Sequence, residues 1–187
     1  FTIVKVENTK YALACMSAAY FDYPAEKLKT IGITGTKGKT TTAYMVYEVL
    51  LRAGIKTGLI GTIETIIGNE HIPSVNTTPE SYTIQETFAK MVKEGLEAVV
   101  MEVSSQGLML HRVSGFTFDY GIFTNLGKDH IGENEHKDFE DYMHCKALLF
   151  KQCRHGIINI DDSHAKDMIK DAVCDIETFG MSKEADL

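Results

Sequence analysis

The sequence predicts an α/β domain with a mostly parallel sheet, helices on both faces and one small antiparallel ribbon. Short β-rich runs alternate with longer runs of helical period, at the spacing of strand–helix–strand crossovers. The run Ala98–Val103 is almost continuously apolar, as in a strand covered on both sides. Within Thr62–Val75, two β-rich runs flank Gly68-Asn69, a hairpin signal, which supplies the ribbon.

Taken in order, Phe1–Val6 reads as a strand and Lys10–Tyr20 as a helix capped by Asn8 or Thr9; neither fits the alternation. Strands follow at Thr30–Thr34, Thr57–Ile60, Ala98–Val103, Tyr120–Thr124, Gly156–Ile160 and Ile176–Phe179. Helices fall between them at Thr40–Ala53, Glu80–Glu94, Phe139–Gln152 and Ser163–Asp171. Gly54 and Gly95 stand where two helices should end. Thr78-Pro79-Glu80 reads as a helix cap, a proline in the first helical position and an acid in the first turn. Both termini cut into element-like runs, as in a piece of a longer protein.

Composition narrows the function. The 187 residues are 44% hydrophobic and 24% charged, the balance of one ordinary globular domain. A net charge of −7 argues against a nucleic-acid partner but not against an anionic small ligand held by backbone amides and local lysines. No apolar run approaches the ~20 residues that span a bilayer, and no signal-peptide pattern is present, so no membrane role is expected. The four cysteines form no C-x-x-C pair and read as reduced thiols, which points to the cytoplasm.

The strongest motif is Gly35-Thr36-Lys37-Gly38-Lys39-Thr40-Thr41, entered from a β-run and leaving into a helix. Glycines let consecutive amides face a phosphate, and the helix N-terminus favours its charge. Lys39 would reach the β- and γ-phosphates, and the Thr40 hydroxyl can bind Mg²⁺. The spacing departs from G-x-x-x-x-G-K-[ST], because isoleucine (Ile33) stands where the first glycine belongs.

Three polar residues stand in telling places. Glu102 closes an apolar strand and needs a partner there, either a metal ion or a cation. His130 follows the next strand; a lone loop histidine is usually a surface residue, but this one stands at the same sheet edge as Glu102 and the phosphate loop, which favours a role there. Lys146 falls within the apolar helical stripe of Phe139, Tyr142, Met143, Leu149 and Phe150. A lysine so placed must snorkel, pair, or change its chemistry. Desolvation favours the neutral amine, which can take up carbon dioxide as a metal-binding carbamate.

These segments resemble the Mur ligases in the same order. They are the phosphate loop, Asn76–Glu80, Met101–Leu108, His111–Val113, Phe123–Leu126 with Asp129-His130, and Cys145–Phe150. Within that family the likeness is to the UDP-N-acetylmuramoyl-tripeptide synthetase (MurE) type. It implies an ATP-dependent ligase of peptidoglycan synthesis that adds the third amino acid to UDP-MurNAc-L-Ala-D-Glu through an acyl phosphate. It implies that Gly35, Thr36, Lys37, Gly38, Lys39, Thr40 and Thr41 bind ATP. Thr40, Glu102, His130 and carbamylated Lys146 are implied around Mg²⁺, with Lys39, Glu102, His130 and Lys146 the catalytic set. Asn76, Thr77, Thr78, Ser104 and Arg112 match contacts to the UDP-MurNAc-dipeptide.

By the same resemblance, residues 1–28 are the end of an N-terminal domain and its linker, 29–187 are the central ATP-binding domain, and a C-terminal domain is missing. The fragment is expected to bind nucleotide weakly and not to ligate alone. The chain departs from the family at Lys37, where asparagine is commoner, at Leu110, which replaces a polar residue, and in an insertion of about two residues across Ile131–His136. Other classes remain beside it: a Mur-like nucleotide-binding subunit without catalysis, a phosphate-loop kinase, and a folylpolyglutamate-type ligase.

Overall fold

The computed structural model describes residues 3–129, 131–132 and 136–187. Helix α1 (Thr9–Tyr20) is capped by Asn8, whose side-chain oxygen accepts from the amides of Lys10 and Tyr11. Residues 3–6 ahead of it form no strand, and Ile3 and Val4 are 89% and 71% exposed. Over residues 3–6 the strand expected at Phe1–Val6 is thus corrected, its β propensity finding no neighbouring strand to pair with, while Phe1 and Thr2 lie outside the described residues.

The remaining elements are β1 (Lys29–Thr34), α2 (Lys39–Arg52), β2 (Thr57–Ile60), β3 (Glu64–Ile67), β4 (Glu70–Pro73), α3 (Ser81–Lys93) and β5 (Ala98–Glu102). Then come α4 (Ser105–Met109), β6 (Phe118–Phe123), α5 (Phe139–Ala147), β7 (Cys153–Asn159), α6 (Ala165–Ile169) and β8 (Asp175–Phe179). The helix expected at Phe139–Gln152 divides, α5 passing into a 3₁₀ turn at Leu148–Lys151. That tighter turn brings Gln152 under the carbonyls of Val113 and Phe116, to which its amide donates.

Eight strands form one sheet in the order β4-β3-β2-β5-β1-β6-β7-β8. Every pairing is parallel except β2–β3 and β3–β4, the expected ribbon, with Gly68 at φ 59° in its turn. Gly54 and Gly95 end α2 and α3 at φ 83° and 72°, left-handed positions where glycine carries no Cβ penalty.

Strand parity decides which face each side chain meets. On β5, Val100 packs with Ala43 and Tyr47 of α2, while Val99 and Met101 pack into the larger core with Phe88, Phe118 and Phe123. Glu102, two residues after Val100, therefore faces the α2 side. β1 is the central strand, paired with β5 on one side and β6 on the other, and the chain reverses its direction across the sheet there. Ligands in such sheets bind beyond the carboxyl ends at this reversal.

The cap expected at Thr78 is displaced. Helix α3 begins at Ser81 with Glu80 as its cap, whose carbonyl accepts from Ile84. Thr78 cannot cap because its hydroxyl is already used: it donates to the Glu102 carbonyl and accepts from the Ser104 amide, both across 2.9 Å. No helix among the described residues is long and apolar enough to cross a membrane.

Candidate active site

At the end of β1 the chain turns through Gly35 at φ 153°, where a Cβ would run into the Thr124 hydroxyl. Gly38, at φ 81°, caps α2 without a side chain. The first bond of that helix runs from Thr42 N to Gly38 O, leaving the amides of Lys39, Thr40 and Thr41 free of intrahelical acceptors. With the helix dipole behind them, these amides form an anion seat.

The loop is held from β6. Thr36 donates its amide to Asn125 O at 2.8 Å and Lys37 donates its amide to Asn125 Oδ1 at 3.0 Å. The Asn125 amide and the Thr124 hydroxyl both donate to Lys37 O, each at 2.9 Å. The Thr36 hydroxyl accepts from Gly127 N and from the Tyr142 hydroxyl.

Glu102 is 1% exposed at the end of β5. Its Oε2 accepts from the Thr40 hydroxyl at 2.9 Å and the Thr62 hydroxyl at 3.0 Å, and its Oε1 accepts from the Thr62 amide at 2.8 Å. Gly61 leaves room for it, since a Cβ there would stand 2.6 Å from Oε1. A buried carboxylate beside the hydroxyl that follows Lys39 offers oxygen donors of the kind a hard divalent cation takes.

Lys146 is also 1% exposed, so it neither snorkels nor reaches solvent. Its Nζ donates to Gly35 O at 2.9 Å and lies 4.5 Å from the centre of the Tyr142 ring. Lys39 Nζ donates to the same Gly35 carbonyl and to Thr36 O. Burial, with Lys39 adding to it, pushes the Lys146 ammonium down to about 7, while the Asp129 carboxylate acts the other way. Lys39 is also lowered, by burial first, with Glu102 and Asp129 opposing.

His130 lies outside the described residues; Asp129, beside it, is exposed. Asn76 and Thr77 sit at the rim, Thr77 with its hydroxyl 3.1 Å from that of Thr62. Behind them, Ser104 caps α4 by accepting from Gly107 N. Arg112 donates to Thr78 O at 3.1 Å and pairs with Glu80 at 2.8 Å. Its buried Nε has no partner among the described residues. The phosphate loop, Thr40, Glu102 and Lys146 thus meet at one place, and the rim residues adjoin it through Thr62.

The family model of the Mur ligase middle domain matches residues 33–187. The chain belongs to the Mur ligase family. It is 50% identical over 190 residues to the UDP-N-acetylmuramoyl-L-alanyl-D-glutamate–2,6-diaminopimelate ligase of Clostridium perfringens, a match covering 99% of this chain and 39% of that protein. A solved structure of a ligase of the same name superposes with a TM-score of 0.83 at 27% identity, over 99% of this chain and 40% of the other. E. coli FolC in complex with DHPP and ADP shares the fold alone, with a TM-score of 0.63 at 16% identity over 95% of this chain and 48% of that one. The chain therefore spans about two fifths of the length of the curated relative it matches.

Several residues of this Mur ligase domain escaped the sequence reading. Thr62 supplies two of the three hydrogen bonds to the Glu102 carboxylate, yet it stood in a segment read only as a hairpin. Asn125 clamps the phosphate loop; the asparagine just after an apolar strand at the ligand edge was the available signal. Tyr142 and His136 link α5 to the loop and to α4, and nothing in the local pattern distinguishes them from core and surface residues.

Proposed function

We propose that this chain is the ATP-binding part of a ligase that joins 2,6-diaminopimelate to UDP-MurNAc-L-Ala-D-Glu through an acyl phosphate. The observation that carries the reading is the convergence of Lys39, Lys146, Thr40 and Glu102 on the glycine turn. Two lysine side chains converging on one carbonyl at the glycine turn place adjustable charge where a polyanion would sit. The name of the half-identical relative supports the substrate and the amino acid.

The residues divide the work by charge. The amides of Lys39–Thr41 and the Lys39 side chain face the triphosphate and neutralise charge as the γ-phosphoryl group leaves. Thr40 and Glu102 would hold Mg²⁺, with His130 as a further ligand, and the ion when bound offsets repulsion between ATP and the substrate carboxylate. The neutral Lys146 amine forms an N–C bond to carbon dioxide and loses a proton, giving a carbamate. The carbamate's negative charge attracts Lys39, which an ammonium there would repel, and its oxygens add a metal-binding pair. No protein nucleophile is needed. Asn76 and Thr77 would contact the UDP-MurNAc-dipeptide at the rim, with Thr78, Ser104 and Arg112 holding that rim and the orphan Arg112 Nε available to an anionic substrate.

Residues 1–28 would then be the end of a uridine-binding domain and 29–187 the central domain of a cytoplasmic three-domain enzyme. The test is the full-length protein supplied with UDP-MurNAc-L-Ala-D-Glu, ATP and, separately, diaminopimelate, lysine and other amino acids. Phosphate release that requires both the dipeptide substrate and diaminopimelate is expected. Release independent of any amine, or none with any of them, would sink the proposal.

A further inference from the structure

His136 is buried completely, in a segment the ligase reading leaves unused. Its Nε2 lies 2.8 Å from the Ser105 hydroxyl and its Nδ1 3.1 Å from an Asp141 carboxylate oxygen. An ionised Asp141 can only accept, so Nδ1 carries a proton, and in the neutral ring Nε2 accepts from Ser105. The two partners belong to different elements. Ser105 begins α4, directly after Ser104, and Asp141 lies in the first turn of α5, which carries Lys146. The His136 ring also packs against Tyr142, with centroids 5.2 Å apart, and the Tyr142 hydroxyl reaches Thr36 of the phosphate loop.

The start of α4 is thus held from two sides. Thr78 fixes the Ser104 amide from the rim, and His136, itself tied to α5 through Asp141, fixes the Ser105 hydroxyl. A helix of five residues has little rigidity of its own, so its position is set by these anchors.

We propose that His136 is a positioning residue that couples α4, the substrate side of the site, to α5 and its lysine. This rests on the ligase reading above, because Ser104 and the rim matter only if a muramoyl peptide binds there. The coupling runs through the Ser105 bond: losing it lets the α4 start drift from the register that Thr78 and Ser104 share.

The experiment uses the full-length enzyme and separates the two ring nitrogens. His136→Asn places an amide near Nδ1 and keeps Asp141 but cannot reach Ser105. His136→Gln carries its amide to the level of Nε2 and keeps Ser105. Both lose the ring against Tyr142, so their difference isolates the bond to α4. The Asn variant is expected to raise KM for UDP-MurNAc-L-Ala-D-Glu about tenfold, as for one hydrogen bond lost with its buried hydroxyl left unpaired. KM for ATP should change much less, and the Gln variant should recover most of the loss. Ser105→Ala should reproduce the Asn variant, with the double variant no worse than either single one.

Hydrogen exchange supplies a readout independent of ligation: the α4 amides should exchange faster in the Asn variant than in the Gln variant. Equal rises in both KM values, a Gln variant as impaired as the Asn variant, or identical α4 exchange in the two would overturn the proposal. A wild-type enzyme without ligase activity would end the ligase reading instead, and the exchange comparison alone would then decide the coupling.

Discussion

The Nζ atoms of Lys39 and Lys146 donate to one acceptor, the carbonyl oxygen of Gly35, each across 2.9 Å. Lys146 is buried, and its pKa falls from an ordinary 10.5 to about 7. Between those values the unfolded chain holds a proton that the folded chain has released. The penalty for a charged Lys146 is therefore fully present below about pH 7 and fades as pH rises toward 10.5. Relative to a Lys146→Met variant, wild type should gain stability through that window at up to about 1.4 kcal/mol per pH unit. Urea unfolding of both chains at pH 6.5, 7.5 and 8.5, in buffers free of carbon dioxide, measures this. Parallel pH profiles would show that Lys146 does not titrate there.

Gly35 and Gly38 are both conformationally special, for different reasons. Gly35 has its positive φ and no room, whereas nothing lies within 4 Å of a Cβ added to Gly38. Gly38→Ala should thus cost only the left-handed strain, about 1–2 kcal/mol. Gly35→Ala adds a clash with Thr124 and should cost distinctly more, on the order of 3 kcal/mol. Thermal unfolding of the two variants decides; equal losses would mean that the loop yields around Gly35.

Asn125 exchanges two hydrogen bonds with the Lys37 backbone. Asn125→Ala should weaken ATP binding about tenfold, since two neutral bonds at roughly 0.5–1.5 kcal/mol each shape the loop. Asn125→Asp keeps the acceptor but loses the donor and sets a negative charge beside the phosphates, so it should bind no better than the alanine variant. Calorimetric titration with ATP reads both. Near-wild-type affinity in the aspartate variant would remove Asn125 from the account.

How much of this was legible in the sequence follows from the range of each interaction. The strand at Thr57–Ile60, the ribbon around Gly68 and the helix-ending glycines are local, and periodicity or turn chemistry located them. Glu102 was legible because a carboxylate ending an apolar strand is a contradiction within a few residues. Lys146 was legible as a problem but not as a solution: its acceptor, Gly35 O, lies 111 residues away in the chain. Thr78 misled for the same reason, since it has the residue type of a helix cap while its hydroxyl is taken by β5 and Ser104. Helix α4, five residues long, is too short to leave a periodic signal.

The central claim is that Thr40 and Glu102 hold a metal ion against a triphosphate seated on the glycine turn. Calorimetric titration with a non-hydrolysable ATP analogue, with and without Mg²⁺, tests it in wild type and in Glu102→Gln. Mg²⁺ should tighten wild-type binding by about tenfold or more, and that gain should vanish in the glutamine variant while metal-free affinity changes little. An equal gain from Mg²⁺ in both proteins would contradict the account.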